Sequence, residues 1–216
     1  MKEILIRRPR RWRTAAMTVL GIAAVAAYVA MANHRASQTA RTIAAIERLN
    51  GMVIRKYSND LKFPGVPQRF GPPDHVYFLG PKAGDRELEV LDGVPGLRIL
   101  NLTNTRVTDE GIARLARFPK LNYLCIASID LTKTAGPSGA LNNTAPQWSG
   151  KGLAALKSLP ELQSISLAGP HVTDADLPAL MSLKRLLMID LYQTSVTKEG
   201  VEAIRKALPS CQVTYR

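Results

Sequence analysis

The chain has 216 residues and a mass of 23.6 kDa, room for one domain with a substantial core and hardly enough for two. Apolar residues make up 46% and charged residues 21%, which excludes a disordered chain and a polytopic membrane protein; two cysteines and three histidines exclude a disulfide scaffold and leave little material for a metal centre. The net charge of +12 is unevenly spread: residues 1–70 hold 13 of the 29 Lys and Arg but 3 of the 17 Asp and Glu, a balance of +10, whereas residues 71–216 carry +2. A nucleic-acid binder is expected to show a basic stripe on its folded face, so this distribution points away from nucleic acid.

Residues 1–13 form a basic segment with Lys2, Arg7, Arg8, Arg10, Arg11 and Arg13 against Glu3. Residues 14–32 follow, 19 residues without a charge, about 28 Å long as a helix and close to the hydrocarbon thickness of a bilayer. Trp12 and Tyr28 lie near the ends, where aromatic rings favour the interface. The spacing predicts a transmembrane helix, with the basic end cytoplasmic and the C-terminal domain outside the cytoplasm. A cleaved signal peptide has the same charge order, and Ala30-Met31-Ala32 fits its cleavage pattern; the apolar run is longer than a signal peptide's usual ~7–15 residues. Residues 33–72 are expected to hold a polar tether at 33–38, an N-terminal cap and a Pro-rich loop. In the cap, Ile43, Ile46 and Leu49 make one helical stripe, Gly51 stops it, and 52–57 alternate as a strand. The loop spans 58–73, with Pro64, Pro67, Pro72 and Pro73.

A repeat of 24 residues dominates the remainder. Leu97, Leu100 and Leu102 set an L-x-x-L-x-L pattern that restarts at Leu121, Leu162 and Leu186, with a degenerate unit from Pro73 and a closing strand near 211–215. The step from 121 to 162 is 41 residues rather than 24, so an insertion of loop composition sits near 130–149. Thr105, Val107, Thr108, Asp109, Gly111 and Ile112, and again Thr194, Val196, Thr197, Gly200 and Val201, complete a pattern that resembles the bacterial leucine-rich repeat family, L-x-x-L-x-L-x-x-T-x-V-T-D-x-G-L. The resemblance covers about 73–216. It implies an α/β solenoid with short parallel strands on a concave face and short helices on a convex face; many members that look like this one also carry an N-terminal anchor. The residues alone lead to the same architecture. Alternate strand residues share a face, Thr108 and Thr173 are placed to cap helices beside Asp109 and Asp174, and Pro119, Pro160 and Pro209 end them. One unit cannot bury its own apolar face, so the units must stack.

No catalytic motif, cofactor motif or metal-ligand spacing is present, and the expected function is noncovalent. His171 reads as a solvated turn residue. Strand alternation points Tyr77, Ile99, Asn101, Tyr123, Cys125, Ser164, Ser166, Met188, Asp190 and Tyr192 outward onto the concave sheet. Tyr and Met are residue types enriched at interfaces, so these residues, with Trp148 of the insertion, are the candidates for holding a protein or peptide partner. The expected molecule is a single-pass membrane-anchored recognition module and not an enzyme. One alternative is a membrane scaffold or non-catalytic subunit; another is a binder of anionic lipid surfaces through the basic N-terminus. Cys125 and Cys211 fall three strands apart, roughly 14 Å or more at about 4.8 Å per strand, and are expected to stay unpaired.

Overall fold

The computed structural model describes the backbone of residues 11–57, 70–128 and 148–216 and the side chains of 26–54, 73–128, 148–149 and 151–216. The insertion at 129–147, the Pro-rich stretch 58–69 and residues 1–10 lie outside the described residues. Two compact units are present, 1–40 and 41–216. One helix, α1 (Arg11–Arg48), takes in residues 33–38, where a tether was expected. The reason is local: between Gly21 and Asn50 the chain has no Gly or Pro and is rich in Ala, the best helix former. Among the described residues no helix is long and apolar enough to cross a membrane; residues 14–25 of the apolar run are ones whose side chains are not described.

The second unit is built on one sheet of seven strands in sequence order. Its strands are β1 (Gly51–Tyr57), β2 (Phe70–Leu79), β3 (Ile99–Thr103), β4 (Tyr123–Ala127), β5 (Ser164–Ala168), β6 (Met188–Tyr192) and β7 (Gln212–Tyr215). From β2 onward every pair is parallel and in register, Leu100 opposite Leu124, Leu124 opposite Ile165, Ile165 opposite Ile189. Between the strands run a 3-10 turn (Glu87–Gly93) and the helices α2 (Asp109–Arg114), α3 (Gly150–Ala155), α4 (Leu177–Met181) and α5 (Lys198–Ala207). Val76, Phe78, Leu100, Leu102, Leu124, Ile126, Ile165, Leu167, Ile189 and Leu191 point inward and are buried against Leu88, Ile112, Leu115, Leu156, Leu177, Leu180 and Ile204 of the helical side. This is the α/β repeat solenoid the 24-residue pattern implies, with the inward face where the alternation puts it.

The first edge differs from expectation. β1 is antiparallel to β2, and β2 begins at Phe70, inside the stretch expected to be irregular. Pro73 pairs with Arg55 and the register shifts on either side of Arg55; proline offers no N–H to a ladder and is tolerated at an edge or bulge. The turn into β1 uses Asn50 as its left-handed residue, φ 59°. Gly51 is needed for close approach instead: a Cβ there would sit 2.8 Å from the Ile46 carbonyl oxygen. The same left-handed position recurs at the strand ends, as Gly80, Asn104, Gly169 and Gln193. There the backbone N–H extends the ladder, Gly80 to the Thr103 carbonyl at 2.9 Å and Asn104 to that of Ala127 at 2.7 Å.

A second ladder links the helix starts. Asp85 accepts from the backbone N–H of Thr108 at 2.8 Å and from its hydroxyl. Asp109 accepts from the Ser149 N–H at 2.7 Å, its hydroxyl at 2.7 Å and the Gly152 N–H at 3.1 Å. Asp174 accepts from the Thr197 N–H at 2.9 Å and hydroxyl at 2.7 Å. Each aspartate therefore serves the next unit's cap, whereas the sequence suggested a role at its own helix start. Thr108, Ser149 and Thr197 in turn accept from Glu110, Lys151 and Gly200. Gly111, Gly152 and Gly200 stand where the incoming carboxylate fits, and a Cβ at any of them would collide with Asp85, Asp109 or Asp174. Where no aspartate arrives, an acid replaces the glycine. Gly150 occupies the aspartate's place in the third unit, and in the fourth Asp176 accepts from the Thr173 N–H at 2.9 Å in a capping box. In the first unit Glu87 accepts from the Gly84 N–H at 2.8 Å.

This alternation predicts a compensating pair. Gly150→Asp alone brings a second carboxylate to a helix start already served by Asp176, and Asp176→Gly alone removes a cap; each is expected to cost about 1 kcal/mol or more. The double variant restores the link found in the other units, so its urea unfolding midpoint is expected to lie above that of both single variants, a coupling read from a double-mutant cycle. Leu167→Ala, which empties a site between stacked units, is expected to lose about 2–5 kcal/mol, while Tyr192→Ala on the opposite sheet face loses far less in the same melts.

Candidate functional site

The sheet face away from the helices is made of three rows of side chains that run across the strands. The first passes through Ile99, Tyr123, Ser164, Met188 and Gln212, the second through Tyr77, Asn101, Cys125, Ser166, Asp190 and Thr214, and the third through Leu79, Thr103, Ala127, Ala168 and Tyr192. Parallel register brings the ten expected strand residues onto one surface. It also adds residues not singled out from the sequence. Thr103, Ala127 and Ala168 form the third row, and Met52 and Ile54 of β1, exposed beside Tyr77 and His75, continue the face at its antiparallel edge. The alternation extended by one further strand residue would have found the third row; the antiparallel return of β1 carried no such signal.

The rows are not uniform. Tyr123 apart, the outward side chains of β4 and β5 are small, and Cys125, Ala127 and Ala168 are buried with Tyr123 packed against them. Cys125, expected to point onto the concave face, is 8% exposed, so little of it is open to solvent there. Tyr123 is partly buried against this cluster, with its hydroxyl near Ser166 and Cys125. Burial, and then the neighbouring Cys125 and Asp190, push the Tyr123 hydroxyl up to about 12, and burial pushes the Cys125 thiol up as well. Neither group is an activated nucleophile at neutral pH. On β3, Asn101 accepts from the Thr103 hydroxyl at 2.6 Å. On β6 the side chains stand proud: Met188 is 44% and Tyr192 37% exposed, with Asp190 half-buried between them. Gln193 donates to the Tyr192 oxygen at 3.4 Å. The face is thus a floor of small residues at β5 between the partly buried Tyr123 and the more exposed Met188 and Tyr192 of β6.

Trp148, expected as a possible partner anchor, belongs to the core at 7% exposure. Its ring meets His171 edge to face, centroids 4.6 Å apart and planes at 89°. His171 is correspondingly not the solvated turn residue the sequence suggested. Both of its ring nitrogens are buried without a hydrogen-bond partner, and burial lowers its pKa against a smaller opposing pull from Asp176. The indole has thus taken the place of solvent over the imidazole, a contact between residues the sequence gave no reason to pair. Among the described residues no group of three or more His, Cys, Asp or Glu is placed to hold a metal ion.

No protein-family model and no curated protein sequence matches the chain. Among solved structures it is similar to a leucine-rich repeat protein of Leptospira interrogans, with 19% identity over 58% of this chain and a TM-score of 0.33. It is also similar to an internalin of Listeria monocytogenes, with 21% identity over 58% of this chain and a TM-score of 0.35. The chain spans 27% and 36% of those two proteins' lengths. The repeat architecture stands on the strand register and burial described above.

Two measurements check this geometry. His171 has a folded pKa below its unfolded value, so its contribution to stability is fully present above the unfolded pKa and is lost as pH falls through the folded one. The melting temperature of the wild type is expected to fall between about pH 7 and pH 5, and His171→Phe is expected to flatten that fall. Cys125 and Cys211 are both buried free thiols, each with its pKa raised by burial. Alkylation of the native, unreduced protein is therefore expected to be slow at both, and mass spectrometry after denaturation is expected to find two labels.

Proposed function

We propose that this chain is a membrane-displayed module for noncovalent recognition, which holds a protein or an exposed peptide on the outer sheet face between β3 and β6. The observation that carries the reading is the contrast on that face: small Ser164, Ser166 and Ala168 form a floor beside the exposed Met188 and Tyr192. Such a face is preformed, because the strands pair with their neighbours and the turns that follow β3, β4 and β6 are held by caps, so docking orders little that was free before. Repeat solenoids present extended surfaces of this kind for binding. The chemistry of the face agrees with noncovalent work, since its thiol and its most buried phenol are both held in their neutral forms. The display half of the proposal is supported by the sequence: the uncharged run 14–32 follows a basic cluster, the order that keeps the N-terminus in the cytoplasm and sends the domain across.

The test uses the full chain, tagged at its C-terminus, in native membranes. It is expected to pellet with membranes with its N-terminus intact; recovery in the supernatant with that N-terminus present would remove the anchor, and loss of the first 32 residues would show signal cleavage. Extracted in detergent, the chain is expected to capture a partner that Ser166→Trp, which fills the floor, no longer captures. Lys157→Glu on the helical side is expected to leave capture unchanged. Equal capture by Ser166→Trp and wild type would sink the sheet-face reading.

A further inference from the structure

The charges of the folded unit are segregated. From β2 to β7 the outward strand positions of the described residues hold no Lys or Arg and a single carboxylate, Asp190. The cations sit instead in the loops and on the helical side, as with Arg86, Arg114, Lys157, Lys184 and Arg205. Elsewhere in the repeats the aspartates are consumed by structure: Asp85, Asp109 and Asp174 each hold the next unit's cap. Asp190 holds none. It stands at a strand position where the preceding units have Tyr77, Asn101, Cys125 and Ser166, and nothing in the repeat pattern asks for a carboxylate there.

Its surroundings have a shape. Along β6 it lies between Met188 and Tyr192, two exposed side chains with apolar bodies. Across the strands its neighbours are the hydroxyl residues Ser166 on β5 and Thr214 on β7. Beyond Ser166 lies the Tyr123 phenol, close enough for its proton to be held more tightly by the Asp190 charge. A half-buried carboxylate with a thioether and a phenol ring on either side along the strand, and hydroxyls to left and right, matches the parts of a long basic side chain. An aliphatic stem can lie on Met188 and Tyr192 while its charged head reaches Asp190 and the hydroxyls.

Resting on the sheet-face reading, we infer that the partner segment held on this face carries a lysine or arginine whose side chain is received by Asp190 between Met188 and Tyr192. Charge complementarity selects this class of occupant. The strand positions around Asp190 offer a negative charge and no positive one, with Arg216, which follows β7 in the row of Tyr192, as the one cation beside them among the described residues; a basic side chain therefore finds a counter-ion there in partly desolvated surroundings, where an ion pair is worth more than on an open surface. The flanking Tyr and Met contribute contact area that a small free cation cannot use, which distinguishes a basic side chain from a metal ion or an amine in solution.

The probe is a random seven-residue peptide library displayed on phage and selected against the full chain in detergent micelles. Enriched peptides are expected to share a Lys or Arg, and replacing that residue with Gln is expected to weaken binding about tenfold. Asp190→Asn, an isosteric change on an outward position, is expected to erase that difference, and Asp190→Lys to shift enrichment toward Asp- or Glu-containing peptides. Ser166→Trp separates the two levels of the argument. Peptides blocked by Ser166→Trp but lacking a shared basic residue, or indifferent to Asp190→Asn, would overturn the basic-side-chain inference and leave the sheet-face reading standing. Peptides indifferent to both changes, or no enriched peptide at all, would overturn both.

Discussion

The carboxylate that each unit lends to the next is the interaction on which the repeat depends. A short helix of five or six residues leaves most of its first N–H groups without an intrahelical partner, and isolated turns of this length do not persist in water. Asp109 satisfies two such groups and one hydroxyl of the following unit, and it does so at the positive end of that unit's helix. The cap residue, the forward-reaching aspartate and the glycine two positions beyond it are therefore one device: threonine or serine receives, aspartate gives, and glycine makes room for the aspartate arriving from behind. The exceptions obey the same geometry. Gly150 sends nothing forward, and the unit after it has Asp176 in place of glycine and closes its own cap. The first unit has no predecessor to supply a carboxylate and uses Glu87. The last has Lys198 where an aspartate would reach forward, and no unit follows it among the described residues.

This ladder on the helical side and the strand ladder together fix the spacing of units at both ends of each strand-to-helix turn, and the leucine layer between them supplies the burial. Asp174 shows the pH sign of the arrangement. Its carboxyl is held below the ordinary range by the Thr197 hydroxyl and N–H, so this link is fully formed above the unfolded carboxylate pKa and is lost as pH falls through the lowered one. The His171–Trp148 contact responds over a different range, nearer neutrality, because there burial of a neutral imidazole is at stake rather than bonding to a charged carboxylate. Acid would thus loosen the third-to-fourth seam before it loosens the caps.

Much of this fold was legible in the sequence, and what was not has a common cause. Period 24 gave the strand register, and period 2 within each strand gave the inward leucines, since both are properties of a chain repeating against itself. The forward reach of Asp109 spans 40 residues to Ser149, across the insertion, and looked from sequence like a residue favoured by its own helix dipole. The alternation of glycine with Glu87 and Asp176 at the third helical position was the available signal for it. Trp148 on His171, Tyr123 against Cys125, and the β1 return onto a strand that starts at Phe70 are single contacts outside the repeat, and periodicity has nothing to say about them. The helix through 33–38 was missed for another reason: polar residues were read as a tether although none of them breaks a helix.

The outward residues carry information about function because the structure asks so little of them. Stability resides in the inward leucines, the turn positions and the caps, and a strand in the middle of a parallel sheet would gain from β-branched or aromatic residues on its open face. β5 has Ser164, Ser166 and Ala168 there instead, poor choices for a sheet and good ones for leaving space. The neighbouring strand then raises Met188 and Tyr192 to 44% and 37% exposure, where burial in the folded unit rewards neither. A sheet that needed only covering would even out these heights. The step between them, with one carboxylate on its rim that the repeat does not require, is not accounted for by the stability of the folded unit.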